Sequence, residues 1–189
     1  MLRIESTITG ILIALVTAGC SGSADTSAPS ATADRQAAIT FADAVATASA
    51  EVPDGVAYEV EMERLDGRDV IEVEFLVGAK VREVYIDPAS GDVLTVRDES
   101  PDNTEQSQEE LQAQADMMGT AKVSLAEAEK VGADHAGGEA REVEFKVVDG
   151  QLVAEVVVVT GGSTTKVLVD AATGDVVDGE TNTSEAQSE

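Results

Sequence analysis

"VYIDPASGDVL", Val84–Leu94, returns as "VLVDAATGDVV" at Val167–Val177. Asp87 and Asp92 around Pro88, Ser90 and Gly91 invite a reading as a paired-carboxylate site, but the same residue types are what a tight turn needs. An aspartate at the end of a strand accepts hydrogen bonds from the backbone amides of the turn, proline presets φ at the first corner, and glycine takes a left-handed position. In the second copy Ala171 replaces Pro88 and Thr173 replaces Ser90, whereas Asp170 and Gly174 stay where that chemistry requires them. The stretch is therefore read as a hairpin turn made twice, and it shows that the chain is a tandem repeat.

Working outward, Glu59–Leu94 aligns with Glu142–Val177 at a constant offset of 83 without a gap, including "EVEMERLDG" over "EVEFKVVDG". Upstream, "ITFADAVATA" lies over "VSLAEAEKVG" at an offset of 84, so the copies differ by one residue in a loop, where insertions are tolerated. Each copy opens with a short helix. Thr40 with Asp43 and Ser124 with Glu127 place a hydroxyl N-cap three residues before a carboxylate, the capping-box arrangement. Phe41, Ala44, Val45 and Ala48 then share a helical face, as do Leu125, Ala128 and Val131. Pro53–Gly55 and Gly137–Gly138 stop the helices or lie just after them.

The rest of each copy alternates with period two. Val56, Tyr58, Val60 and Met62 oppose Ala57, Glu59, Glu61 and Glu63, giving one apolar and one acidic face. Asp66–Gly67 and Asp149–Gly150 are hairpin turns. Ile71, Val73, Phe75 and Val77 line the next strand, and further strands are expected near 80–87 and 93–97. The fold class is α+β: two repeated small modules, each a short helix packed on a three- to four-stranded antiparallel sheet. The segment "AEVVVVT" at 154–160 is apolar on both faces, which fits either a central strand covered on both sides or packing of the two modules' sheets or helices against each other.

The expected domains are a signal peptide at 1–19, a flexible tether at 20–37, module 1 at 38–98, an acidic linker at 99–121, module 2 at 122–179 and a disordered tail at 180–189. Within the linker, "SQEELQAQADMMG" reads as a short helix capped by Ser107 and stopped by Gly119, with Leu111, Ala115 and Met118 as a thin apolar stripe. No Trp, three Phe and two Tyr leave the core to Val, Ile, Leu and Ala, which bury less area per residue than aromatics do.

The N-terminus combines Arg3, an apolar run from Ile8 to Ala18, then Gly19 and Cys20, the layout of a signal peptide. The run is too short for a bilayer core, which takes about 20 helical residues. It resembles the bacterial lipoprotein signal: Ala18, Gly19 and Cys20 match the lipobox, while Thr17 stands where leucine is usual and Glu5 departs from a basic n-region. The resemblance implies lipidation of Cys20 and an extracytoplasmic location anchored to the cell membrane. Cys20 is the sole cysteine, so an intramolecular disulfide is excluded and acylation gives the thiol a use. A plain secretory cleavage with an idle thiol and a chance apolar N-terminus are the rival readings. The small polar residues after Cys20 form a tether with a reach on the order of 20–25 Å.

A helix followed by a small sheet ending in "VYIDPASGDVL" or "VLVDAATGDVV" resembles the PepSY domain over about 39–98 and 122–179. PepSY modules occur in propeptides of thermolysin-like peptidases, in spore-germination proteins and in bacterial envelope proteins, and are proposed to inhibit or regulate peptidases. The resemblance brings no catalytic residues with it and implies a target in trans, a secreted or envelope peptidase.

The residues themselves argue against an enzyme. His135 is the only histidine, no Ser or Cys and Asp are placed to form a triad with it, and a solvated residue favoured by a helix C-terminal dipole is the alternative. One His and one Cys fall short of a zinc site, no phosphate-binding glycine motif is present, and "TGGST" at 160–164 reads as a loop. No catalytic, cofactor-binding or metal-ligating residue is assigned. Calcium remains a partner to consider because Glu59, Glu61 and Glu63 beside Glu72 and Glu74 could hold cations diffusely, although Asp87 and Asp92 lack the ligand spacing of an EF-hand loop. Lys and Arg number 12 against 37 Asp and Glu, a formal charge of −25, which repels nucleic acid and favours cationic surfaces. The expected function is a lipid-anchored extracytoplasmic binding protein that restrains a peptidase or another envelope protein. The alternative is an acidic cation-binding or structural envelope lipoprotein without a specific protein target.

Overall fold

A computed structural model describes residues 39–78, 80–98 and 107–182. All of them belong to one compact unit, Gln36–Glu189. Cys20 and the signal and tether expected at 1–37 lie outside the described residues.

Each repeat begins where its capping box was read. Thr40 Oγ1 accepts from the Asp43 amide at 3.1 Å while Asp43 Oδ2 accepts from the Thr40 amide at 3.2 Å, and α1 runs Phe41–Glu51. Ser124 and Glu127 do the same for the second repeat's helix at Leu125–Ala136, and Ser107 and Glu110 for the linker helix at Gln108–Met118. In chain order the linker helix is α2 and the second repeat's helix α3. The first repeat continues with β1 (Val56–Leu65), β2 (Arg68–Leu76), β3 (Val81–Ile86) and β4 (Val93–Asp98), the second with β5 (Glu139–Val148), β6 (Gln151–Thr160), β7 (Ser163–Asp170) and β8 (Val176–Asn182). At the β1–β2 and β5–β6 turns both central residues have positive φ, 52° and 82° at Asp66–Gly67 and 49° and 81° at Asp149–Gly150. That is the type I′ geometry whose twist suits adjoining strands.

The strands form one antiparallel eight-stranded sheet in the order β4-β3-β2-β1-β5-β6-β7-β8. Of the two readings of the Val-rich segment the central strand holds, and the modules join edge to edge, β1 pairing with β5, rather than sheet against sheet. β6 is central within its own repeat, between β5 and β7. β8 continues to Asn182, opposite Thr164 of β7, so residues 180–182, expected in the tail, are strand.

Register explains the core. Val84, Val73, Val60, Val143, Val156 and Val167 stand directly opposite one another across six successive strands, and each is fully buried. On this valine row sit α1, through Phe41, Ala44 and Ala48, and α3, through Leu125, Ala128 and Gly132. Leu111 and Met118 of α2 join the same cluster. All three helices thus cover one face of the sheet. α3 seats closely: a Cβ at Gly132 would lie 2.6 Å from Val156 Cβ.

The repeated turn is built as the sequence implied. Asp87 Oδ1 accepts from the amides of Ala89 and Ser90 at 2.8 and 3.1 Å, and Asp170 Oδ1 from Ala172 and Thr173 at 2.8 Å each. Gly91 and Gly174 have φ of 77° and 80°. Each turn also holds the segment entering its helix: Pro88 O accepts from the Ile39 amide, and Ala171 O from Lys122 and Val123. In the candidate pair Asp87 is spent on backbone amides and Asp92 Oδ2 accepts from Ser90 Oγ at 2.9 Å, so both serve the turn.

Candidate functional site

The face opposite the helices carries the chemistry. Because side chains alternate along a strand, the positions next to the valine row point the other way, and there the register lines up glutamates. Glu83, Glu74, Glu59, Glu144 and Glu155 are consecutive cross-strand partners over β3, β2, β1, β5 and β6. A second row reads Tyr85, Glu72, Glu61, Glu142, Val157 and Lys166. Glu63 lies beside Glu61 on β1. Strands are about 4.8 Å apart, and two unit charges about 5 Å apart repel by roughly 3 kcal/mol at an effective dielectric constant of 20. Ionised glutamates placed directly opposite each other are therefore destabilising unless something neutralises them.

The two repeats solve this differently. In the second, Lys146 Nζ lies 3.0 Å from Glu144 and 2.9 Å from Glu155, and Lys166 Nζ lies 2.7 Å from Glu155. Burial works to raise the Glu155 carboxyl, yet its hydrogen bonds from both lysines outweigh that and hold it below the ordinary carboxylate value. At offset 83 these lysines correspond to Glu63 and Glu83 of the first repeat, so there the countercharges are replaced by further acids. Burial first, then the carboxylates of Glu74 and Glu144, push Glu59 up to about 10. Burial and Glu142 push Glu61 to about 7, and burial and Glu63 push Glu72 to about 9. Tyr58 donates to Glu74 and Tyr85 donates to Glu83 at 2.8 Å. The Arg97 guanidinium stacks 5.1 Å above the Tyr85 ring. One oxygen of Glu63, Oε2, is buried without a hydrogen-bond partner.

Among the described residues two carboxylate trios could hold a cation. Oxygens of Glu72, Glu74 and Glu83 lie within 4.8 Å of one another, as do those of Glu142, Glu144 and Glu155. The second trio is met by two lysines, whereas in the first Glu74 and Glu83 accept from tyrosine hydroxyls, and its oxygens are of the hard type that divalent cations take. Glu59, Glu61, Glu63, Glu72 and Glu74, named from sequence as an acidic face, all lie on this face of the sheet. Glu83, Glu142, Glu144 and Glu155 were missed, although the alignment of the copies carries the signal, since strands that repeat with the same alternation present the same face.

The helix face offers less chemistry. An apolar cleft of about 420 Å³ lies between α1 and α3, lined by Val45, Val56, Met118, Leu125 and Phe145 among others. His135 is exposed in the last turn of α3. Among the described residues no helix is long and apolar enough to cross a membrane.

Comparison with known proteins agrees with the repeat. Residues 38–97 and 122–180 each match the PepSY family, described as "Peptidase propeptide and YPEB domain". The crystal structure of a candidate lipoprotein from Clostridium difficile 630 is similar at 18% identity and a TM-score of 0.51, covering 79% of this chain and 97% of that one. At 16% identity the Bacillus megaterium YpeB C-terminal domain covers 76% of this chain and 65% of that one, with a TM-score of 0.23. No curated protein matches. An eight-stranded sheet built from two copies of one helix-and-sheet unit, each matched by the same family, makes this chain a member of the PepSY family that carries the domain twice.

Proposed function

We propose that the chain is a non-catalytic, extracytoplasmic binding protein, anchored by a lipid on Cys20, that presents the acidic sheet face of its first module to a positively charged surface of a peptidase or another envelope protein and restrains it. The carrying observation is the asymmetry between the repeats. Module 2 supplies its own Lys146 and Lys166, whereas module 1 has Glu63 and Glu83 at those positions, which leaves a surface complementary to a partner's lysines or arginines. Family membership favours a peptidase as the target, and a tether at 20–37 would hold the modules just off the membrane.

The test is capture from envelope extract by the native chain and by Glu63→Lys/Glu83→Lys, which copies module 2. The native chain is expected to retain a peptidase or another basic envelope protein in a salt-sensitive way, and the charge-swapped chain to lose it with an unchanged circular dichroism spectrum. Equal capture by both would sink the assignment of the face. Metabolic labelling with a fatty-acid probe, with Cys20→Ala as control, tests the anchor; identical labelling of the two forms would rule it out.

A second reading rests on the Glu72, Glu74 and Glu83 trio, whose oxygens suit a divalent cation such as calcium. A calcium-dependent rise in melting temperature that Glu74→Gln removes, together with no protein captured, would favour an acidic cation-binding lipoprotein instead.

A further inference from the structure

The modules meet along a short seam. β1 and β2 pair over nine residues and so do β5 and β6, but β1 and β5 pair over three: Glu59↔Glu144, Val60↔Val143 and Glu61↔Glu142. Val60 and Val143 are the same position of the repeat, so a local two-fold axis passes between them. That symmetry sets Glu59 and Glu61 of β1 opposite Glu144 and Glu142 of β5. Beyond Glu144 the pairing with β1 stops, and the Phe145 carbonyl accepts instead from Gln114 of α2, a buried side chain. The seam therefore cannot lengthen in that direction, and in both of its outer rungs a carboxyl faces a carboxyl.

We propose that the β1–β5 seam is a protonation-controlled joint: with the Glu61–Glu142 rung protonated the modules are locked into one sheet, and with both carboxyls ionised the seam frays while each module keeps its own strands paired. The groups facing it are acidic on nearly every side. Glu61 has Glu59 and Glu63 along β1, Glu72 opposite on β2, and Glu142 and Glu144 on β5; Glu59 has Glu74 opposite on β2. Farther out lie Glu83 and Tyr85 on β3 with Arg97 of β4 over the tyrosine ring. On the other side are Glu155 on β6, Lys146 on β5 with Glu110 of α2 near it, and Lys166 on β7. The two lysines are engaged by Glu144 and Glu155 and only partly offset Glu142, whose carboxyl is raised by burial first and by Glu144 next. On the helix side, α2 and α3 contact β1 as well as their own module, so the joint opens on its acidic side while the apolar side stays covered.

Hydrogen exchange of the full-length chain at pH 5.5 and 8.5, corrected for the intrinsic pH dependence of exchange, tests this. Residues 59–61 and 142–144 are expected to lose protection by roughly tenfold or more at the higher pH, the effect of about one pKa unit of differential interaction, while the β6–β7 amides keep theirs. Glu61→Gln/Glu142→Gln should remove that difference. Parallel loss of protection in the seam and in β6–β7, or a pH dependence that survives the double substitution, would overturn the joint. Glu61→Lys alone, which sets a cation opposite Glu142, should also hold the seam closed at pH 8.5; fraying equal to the native chain's would count against the proposal.

Discussion

Gly132→Ala tests how closely α3 is seated on the sheet. A glycine inside a helix ordinarily costs about 1 kcal/mol relative to alanine, so helix propensity alone makes the substitution stabilising. The structure reverses the sign. A Cβ added at Gly132 would stand 2.6, 2.7 and 2.9 Å from Cβ, Cγ1 and Cγ2 of Val156, and Val156 is fully buried in the valine row with Val143 and Val167 on either side. A β-branched side chain locked on a central strand cannot swing aside, so α3 must lift. Overpacking costs about 1–3 kcal/mol; three contacts under 3 Å put this site in the upper part of that range, so after the propensity gain of about 1 kcal/mol a net loss of about 1–2 kcal/mol is expected. For a unit of this size that lowers the melting temperature by roughly 2–8 °C. Thermal denaturation followed by circular dichroism measures it. Pairing the substitution with Val156→Ala should remove the clash, so the double variant is expected to lose less than the sum of the two singles. An unchanged or higher melting temperature for Gly132→Ala alone would refute the close seating. The first module carries Ala48, also fully buried, at the matching helix position.

Two further outcomes follow from the same structure. Gly91→Val should destabilise the chain by about 1–2 kcal/mol, because Gly91 sits at φ 77° and a β-branched residue is strained there; a melting curve that superimposes on the native one would remove the turn's role. Stability should also fall as the medium becomes alkaline. Glu61, Glu72 and Glu59 have folded-state values raised to about 7, 9 and 10 from 4.5. Their contribution is complete below about 4.5 and disappears as pH rises through those values. Asp43, Glu110, Glu127 and Glu155 are lowered, the first three by their capping hydrogen bonds, so their contribution is present above their ordinary values and is lost as pH falls through the folded ones. Melting temperatures across pH 3–10 should peak in mildly acidic solution and decline through neutral and alkaline pH. A maximum at pH 9 would contradict the buried acidic rows.

Local chemistry carried most of the fold into the sequence. Thr40 with Asp43, Ser124 with Glu127, Asp66–Gly67 and Asp87 with Gly91 each specify a cap or a turn from a few neighbouring residues, and the period-two alternation fixes which face is apolar. Long-range pairing was not legible, because nothing in "YEVEME" or "REVEFK" says which edge of one copy meets which edge of the other. A strand flanked by partners on both sides and a free edge strand have the same alternation. Hence the Val-rich 154–160 segment read equally as a central strand or as a contact between modules, and the polar residues 180–182 read as tail although they pair with β7. The acidic face was half visible. Its strands alternate in plain view, but five glutamates in one cross-strand row exist only once β1 and β5 are joined. The contrast of Glu63 and Glu83 with Lys146 and Lys166 lay in the alignment, and it acquires meaning when Glu155 is seen between the two lysines.

The acidic rows exist only if β1 lies beside β5 in one chain. With Cys20 changed to Ser, a Glu61→Cys/Glu142→Cys chain places two cysteines directly opposite each other, about 5 Å apart at Cβ. A control chain with Glu61→Cys/Asp178→Cys separates them by four strand spacings, roughly 19 Å. After mild oxidation and proteolysis, mass spectrometry should find an intramolecular disulfide in the monomer of the first chain and none in the second. Disulfides formed only between chains, or no disulfide at 61–142, would contradict a continuous sheet across the two modules.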